Sequence, residues 1–316
     1  MPSTVVDHDL VSAAPAGRPS LGEQVVTALI VVVPTVALVL SVVVLWGHGI
    51  GLRDVAIAAV LYALMGHGIA VGFHRLFAHR SFRAVRPLKI ALAVAGSMAF
   101  EGDPIGWVAD HRRHHAYTDR PGDPHSPHTS GHPGLGGQLR GLWHAHTGWL
   151  FTHSPTDPKR YAAYLLGDRD LVVIDRLFPL WCAVSLAVPF GLGWLLGGSV
   201  WAGLTTLLWA GLVRVCVLHH VTWSVNSVCH TMGRRPYATK DRSTNVAVLS
   251  VVSFGESWHN AHHAFPTSSR VGLRPHQPDS AASLIDLFER LGWADQVRRA
   301  DPDQRDREPE LVSTAA

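Results

Sequence analysis

The chain has 316 residues, 47% of them apolar and only 16% charged, against roughly 25% charged in soluble domains. A formal charge of +3 gives no bulk electrostatic attraction to nucleic acid. Cys182, Cys216 and Cys229 lie in apolar stretches without a CxxC pair, so they read as small buried hydrophobes rather than as a disulfide, zinc or iron–sulfur framework. The excess is in histidine, with 21 residues, and imidazole is the commonest transition-metal side-chain ligand.

In chain order, residues 1–23 are polar, with Pro15, Gly17 and Pro19, and are expected as a disordered tail rather than a signal peptide. Val25 to Leu52 carries no Asp, Glu, Lys or Arg. About 20 helical residues cross a bilayer core, so a first span is expected at about 25–46. Gly47-His48-Gly49 and Gly51 make a tight connection. A second uncharged run gives a span at about 54–73, leading directly into His74. Ile90 to Phe100 has 11 residues, too short to cross and expected as an interfacial or re-entrant segment.

Residues 101–176 are polar and rich in Gly, Pro and His. Leu177 to Val213 is uncharged for 37 residues, which as one helix would reach about 55 Å. Gly197-Gly198-Ser199 divides it into spans at about 177–196 and 200–222, the last running on as helix toward His230. The expected fold is all-α and integral to the membrane, with two helical hairpins under a helical cap formed by 74–176 and 231–290. One domain covers 24–290, and residues 295–316 form a charged mobile tail. Residues 75–176 hold 13 Lys and Arg and the segment after His230 holds 11, whereas the hairpin connections hold only Arg53. The positive-inside rule then places the cap and both termini in the cytoplasm, with the chain multi-pass in the plasma membrane.

The histidines fall into groups: His74 and His79; His111, His114 and His115; His259, His262 and His263. Residues three and four apart share a helix face, so the second and third groups each converge on one point. The first, spaced by five, sits less squarely on a face. Eight neutral nitrogen donors exceed the need of one ion and suit two. Nitrogen ligation alone fits zinc, iron, copper or nickel, and the count favours two irons with room for water or oxygen. His230 is a ninth candidate, with His219-His220 competing on the same helix. His8, His48, His128, His144, His146, His153 and His276 read as capping or surface residues.

The order HRLFAH, HRRHH and HNAHH, separated by apolar hairpins, resembles the membrane-bound fatty acyl desaturases, in particular the stearoyl-CoA delta-9 type. The likeness extends through Gly106-Trp107, Gly122-Asp123-Pro124-His125, Gly148-Trp149-Leu150, Asn226 to His230 and Gly255-Glu256-Ser257-Trp258, over about residues 25–275. It implies nine metal ligands: His74, His79, His111, His114, His115, His230, His259, His262 and His263. Asn226 would hold a metal-bound water. It implies two Fe2+ ions, with O2 as co-substrate and zinc as a substituting metal, and cis desaturation of a long-chain acyl-CoA such as stearoyl- or palmitoyl-CoA at delta-9. Substrate contacts are expected from Trp107, Trp149 and Trp258. Tyr62 and Gly66, about 18 and 12 Å before His74 along a helix, would form the tunnel floor. Arg112, Arg113, Lys159, Arg160 and Arg234 are candidates for the phosphates of the headgroup.

Only a fragment of a fused haem-domain signature appears, His132-Pro133-Gly134-Leu135. The expected electron donor is therefore a separate ferredoxin-like carrier or an NAD(P)H-dependent flavin or iron–sulfur reductase. Two other readings remain open at this level: a diiron hydroxylase of a lipid or alkane chain, and a non-enzymatic metal-binding membrane protein.

Overall fold

The computed structural model describes residues 19–44, 50–129, 131, 133–152 and 155–301. The terminal tails before residue 19 and after 301, and the connection at 47–49, lie outside the described residues. Four helices are long and apolar enough to cross a membrane: α1 (Leu21–Val44), α2 (Leu52–Ala78), α9 (Phe178–Gly197) and α10 (Val200–His230). Between α2 and α9 lie α3 (Arg86–Ser97), α4 (Pro104–Tyr117), α5 (134–152), the short turns α6 (Pro158–Tyr161) and α7 (Ala163–Leu166), and α8 (Arg169–Arg176). After α10 come α11 (His259–Ala264) and α12 (Ser280–Arg290). A two-residue antiparallel pairing of β1 (Arg83–Ala84) with β2 (Ala294–Asp295) ties the chain beyond α12 to the segment following α2.

Helix α1 begins at Leu21, so residues 21–23 belong to the first span rather than to the tail. The reason is a Ser-x-x-Glu start. Glu23 accepts from Ser20 N and Oγ at 2.7 Å each, and Glu23 N donates to Ser20 Oγ at 3.3 Å, satisfying donors that a helix start leaves orphaned. One apolar face of each span points outward: Leu29, Leu64, Leu195 and Val200 are all exposed, as a lipid-facing surface requires. Trp194 and Trp201 flank the α9–α10 turn, the level at which indole rings favour a membrane interface. Gly198 makes that turn with φ +65, and Ser199 Oγ caps α10 by accepting from Ala202 N at 3.1 Å.

Helix α2 runs past residue 73 to Ala78, and its last eleven residues, Gly68–Ala78, wind as a π-helix. His74 therefore lies inside the helix. Helix α3 does not cross; it buries Leu88, Leu92 and Ala93 and packs on the π-helical half of α2. The approach is close enough that a Cβ on Gly68 would stand 2.3 Å from Gly96 N, the small-residue contact typical of packed membrane helices.

Buried polar side chains hold the end of α3 in place. Arg214 Nη2 donates to Ser185 Oγ at 2.8 Å, Ser185 Oγ donates to the Met98 carbonyl at 2.7 Å, and His219 Nε2 lies 2.9 Å from the Ala99 carbonyl. An ionisable side chain inside a spanning segment is retained where such partners satisfy it. These contacts fix the turn at Phe100 (φ +65), which delivers Glu101 and then α4 to the space above the spans.

Candidate metal centre

The π-winding of α2 resolves the awkward spacing of the first histidine pair. In an α-helix two residues five apart diverge by about 140° at 3.6 residues per turn. A π-helix bonds i to i+5, and His79 N donates to the His74 carbonyl at 3.0 Å. The two imidazoles therefore share a face, with ring centroids 4.8 Å apart. Helix α4 supplies His111, His114 and His115, and α11 supplies His259, His262 and His263, each from one face. His230 comes from the single 3-10 turn that ends α10.

These side chains meet in two groups able to hold a metal ion. His74, His79, His111 and His262 form one, and His114, His230, His259 and His263 form the other; the ring nitrogens within each lie within 4.8 Å of one another. His115 sits between them, its Nε2 2.9 Å from His262 Nε2, and it also groups with His262 and His263. Within the groups, Nε2 atoms face each other at 3.1 Å (His74 and His262), 2.7 Å (His79 and His111), and 3.0 Å (His230 and His259, and His259 and His263).

The chemistry of this donor set fits a metal. His114 Nδ1 lies 3.0 Å from Asp123, His230 Nδ1 3.0 Å from Asp119 and His263 Nδ1 3.1 Å from Asp241, while His74 Nδ1 meets Glu256. A carboxylate at Nδ1 fixes the proton there and turns the Nε2 lone pair inward, the arrangement of metal-ligating histidines. Lone pairs about 3 Å apart repel unless a cation lies between them. His114 Nε2 is buried with no protein partner among the described residues.

Burial, and then the neighbouring imidazoles, hold His79, His111, His115, His259 and His262 well below the ordinary 6.5, in the neutral form that binds metal. Burial pushes the Asp119 carboxyl up, but His230 together with hydrogen bonds from Arg242 N and Ser126 Oγ more than reverses this and keeps it ionised. Asp123 and Asp241 follow the same pattern with His114 and His263.

The competition on α10 is decided by direction. His219 bonds the Ala99 carbonyl, and His220 Nδ1 pairs with His146 Nε2 at 2.9 Å. Only His230 of the three enters a cluster. His128, read from the sequence as a surface residue, is half-buried with Nε2 2.7 Å from the His230 carbonyl.

Below the clusters lie two adjoining cavities, an inner and an outer lobe. The inner lobe, about 50 Å3, is lined by Gly66, Ile69, Ala70, Leu218, Val225 and Phe254 together with His74, His111, His114 and His259. The outer lobe, about 350 Å3, reaches Pro19, Thr27 and Val31 of the first span. The lobes share Trp107, His111, Thr222 and Asn226, which stand between them beneath the histidines. Trp107 stacks on His111 at 5.0 Å and 12°, and Trp149 lines the outer lobe.

Tyr62 is not among the lining residues. It backs Phe254, with ring centroids 5.4 Å apart, and its hydroxyl donates to the Val252 carbonyl at 2.7 Å. Trp258 is buried away from the lining, its Nε1 donating to the Pro278 carbonyl at 2.9 Å. Sequence reasoning missed Asp119, Asp123, Asp241 and Glu256 as partners of the histidines, and Glu101 and Phe254 as cavity residues. Glu256, three residues before His259, was the nearest to a local signal.

Four membrane-crossing helices under a cap that focuses nine imidazoles define a membrane protein with histidine clusters able to hold metal above an apolar cavity. The family model described as fatty acid desaturase matches residues 54–285, and the chain belongs to the fatty acid desaturase family. It is 40% identical over 269 residues to a hex-5-enoyl-[acyl-carrier protein] acetylenase of Moorena producens, covering 84% of each chain. It is 36% identical to an sn-1 stearoyl-lipid 9-desaturase of Anabaena variabilis (79% of this chain, 86% of that one). It is 38% identical to delta-9 acyl-lipid desaturase 1 of Arabidopsis thaliana (79% and 77%). The chain is thus an oxidoreductase of the desaturase class.

Proposed function

We propose that the chain uses two irons to introduce a cis double bond at delta-9 of a long-chain acyl group. The supporting observation is the pair of histidine tetrads, anchored through carboxylates, directly over an apolar cavity. His74, His79, His111 and His262 hold one ion and His114, His230, His259 and His263 the other, with His115 between them. Asn226, which lines both lobes, holds a water toward the metals. Bound iron supplies the O2-derived oxidising power that removes hydrogen from an unactivated methylene pair. The protein excludes water, positions the chain and keeps the ligands neutral. Trp107 and Gly66 guide the chain between the lobes and at the inner end, Trp149 lines the approach, and Tyr62 and Trp258 support this lining from behind.

The acyl group enters as a thioester, in the first instance of coenzyme A. The outer lobe is lined by Glu23, Glu101, Asp103 and Asp110 and by no Lys or Arg among the described residues. Phosphates therefore stay outside it, and the uncharged pantetheine arm occupies the lobe. Arg113, whose Nη1 reaches Thr156 Oγ1 at the cavity edge (3.4 Å), is the cation best placed to meet them. The arm is common to coenzyme A and carrier-protein thioesters, and the acetylenase relative acts on a carrier-bound chain. The positive-inside count supports a site on the cytoplasmic face of the plasma membrane, and the desaturase unit takes in the first span from Leu21 and runs to about residue 290.

The test is expression in a strain lacking its own desaturase, followed by fatty-acid profiling and iron analysis of the purified protein. A delta-9 alkene, absent in His262→Ala with membrane insertion intact, is the expected result. An alcohol product would favour hydroxylation, and iron-free, O2-independent behaviour would remove the enzyme reading. Purified protein given matched acyl-CoA, acyl-carrier-protein and glycerolipid substrates identifies the donor.

A further inference from the structure

We propose that the face of the cap around Tyr164, carrying Arg80, Arg112 and Arg160, is the docking surface for an acidic one-electron carrier protein. The inference rests on the desaturation reading. That reaction combines a CH2–CH2 pair with O2, two electrons and two protons and yields CH=CH and two waters, and the electrons must reach the histidine clusters through the cap.

Helix α4 has two functional faces. His111, His114 and His115 turn inward to the clusters, while Arg112 turns out to the Tyr164 ring, its guanidinium carbon 5.2 Å from the centroid. Arg80, the residue after His79, stands over the same ring at 5.4 Å. Tyr164 thus meets two guanidinium groups, each one peptide from a residue of the first cluster. Its hydroxyl bonds the Phe77 carbonyl on the π-helix that carries His74. Arg160 lies 5.2 Å from the Tyr161 centroid and donates to Tyr117 Oη at 3.3 Å, widening the patch.

None of these three arginines forms a salt bridge among the described residues. The contrast is with neighbouring α3, where Arg86 pairs with Asp170 and Lys89 with Asp168. Three cations without a carboxylate partner, beside the exposed Tyr164 ring, suit an acidic protein surface, which they would steer into register. An acyl-carrying partner must instead reach the mouth of the outer lobe, whose lining includes none of these residues. That placement favours electron delivery over substrate delivery.

The test needs no turnover, so it is independent of the acyl substrate. Metal-loaded protein in phosphatidylcholine nanodiscs is titrated with an oxidised plant-type [2Fe–2S] ferredoxin as the acidic probe. Binding is expected to weaken at least about tenfold between low and physiological salt. Arg80→Gln with Arg112→Gln should weaken it about tenfold at low salt and flatten that salt dependence, while iron content is retained. Salt-independent ferredoxin binding by the unaltered protein overturns the proposal even if the variant fails to fold. Unchanged ferredoxin binding in a folded variant also overturns it. So does a variant that loses affinity only for acyl-carrier protein, or only for phosphatidylglycerol nanodiscs.

Discussion

The ring of Phe254 lies across the backbone of Gly66, so that a Cβ on Gly66 would stand 1.9 Å from Phe254 Cε2. Phe254 holds this position with φ +59, an uncommon conformation for a residue with a side chain. The ring is further fixed by His67, with centroids 4.5 Å apart. The inner lobe of the cavity therefore ends on a glycine of one spanning helix and a strained aromatic from the loop before α11.

Gly66→Ala is expected to displace Phe254 at a cost of about 1–3 kcal/mol, as overpacking does, and to shift product toward shorter chains. Phe254→Ala should open the inner end and extend the accepted chain. A ladder of saturated substrates reads both, and an unchanged length preference in Phe254→Ala would remove this assignment of the floor.

Asp241 orients His263 without touching the cavity lining. Asp241→Ala should lower metal affinity about 10–100-fold, the usual effect of losing a carboxylate behind a ligating imidazole. Competition with a graded series of chelators measures this, and wild-type retention of iron would contradict the role. Conversely, removing metal from the native protein should lower its melting temperature, because the clusters bind metal only when folded.

Burial pushes the Glu101 carboxyl up from 4.5 to about 8, against hydrogen bonds from Thr222 and Trp107 that favour its ionised form. Between those values the folded state holds a proton that the unfolded state has lost, so stability falls as pH rises through this window. Glu101→Gln should remove that decline, on the order of a few kcal/mol by linkage. Thermal unfolding from pH 5 to 8.5 would show the curves of the two proteins diverging at the alkaline end. Parallel curves would mean that Glu101 is ionised throughout.

Gly68 meets the α3 backbone at Gly96 with no room for a side chain. Gly68→Leu is expected to separate α3 from the π-helix and to loosen the register of His74 and His79. Lower detergent-extracted yield and loss of at least part of the metal, compared with the exposed control Leu64→Ala, would be the measured outcome.

The sequence by itself determined the spans, the helical class and the convergence of the second and third histidine groups, each on one helix face. Each depends on local period: uncharged runs of membrane length, and imidazoles three or four residues apart. It left His74 and His79 misaligned because a five-residue spacing fits an α-helix poorly, and only packing against α3 accompanies the π-winding that aligns them. It could not choose His230 over His219 and His220, since all three share one helix and only their distant neighbours differ. The carboxylates behind the ligands escaped for the same reason: Asp119 meets His230 across 111 positions and Asp241 meets His263 across 22. Local chemistry named the candidate donors, whereas tertiary contacts decided their grouping, their protonation and the inner end of the cavity below them. Those properties are set by groups brought together from separate parts of the chain, and no spacing along one segment encodes them.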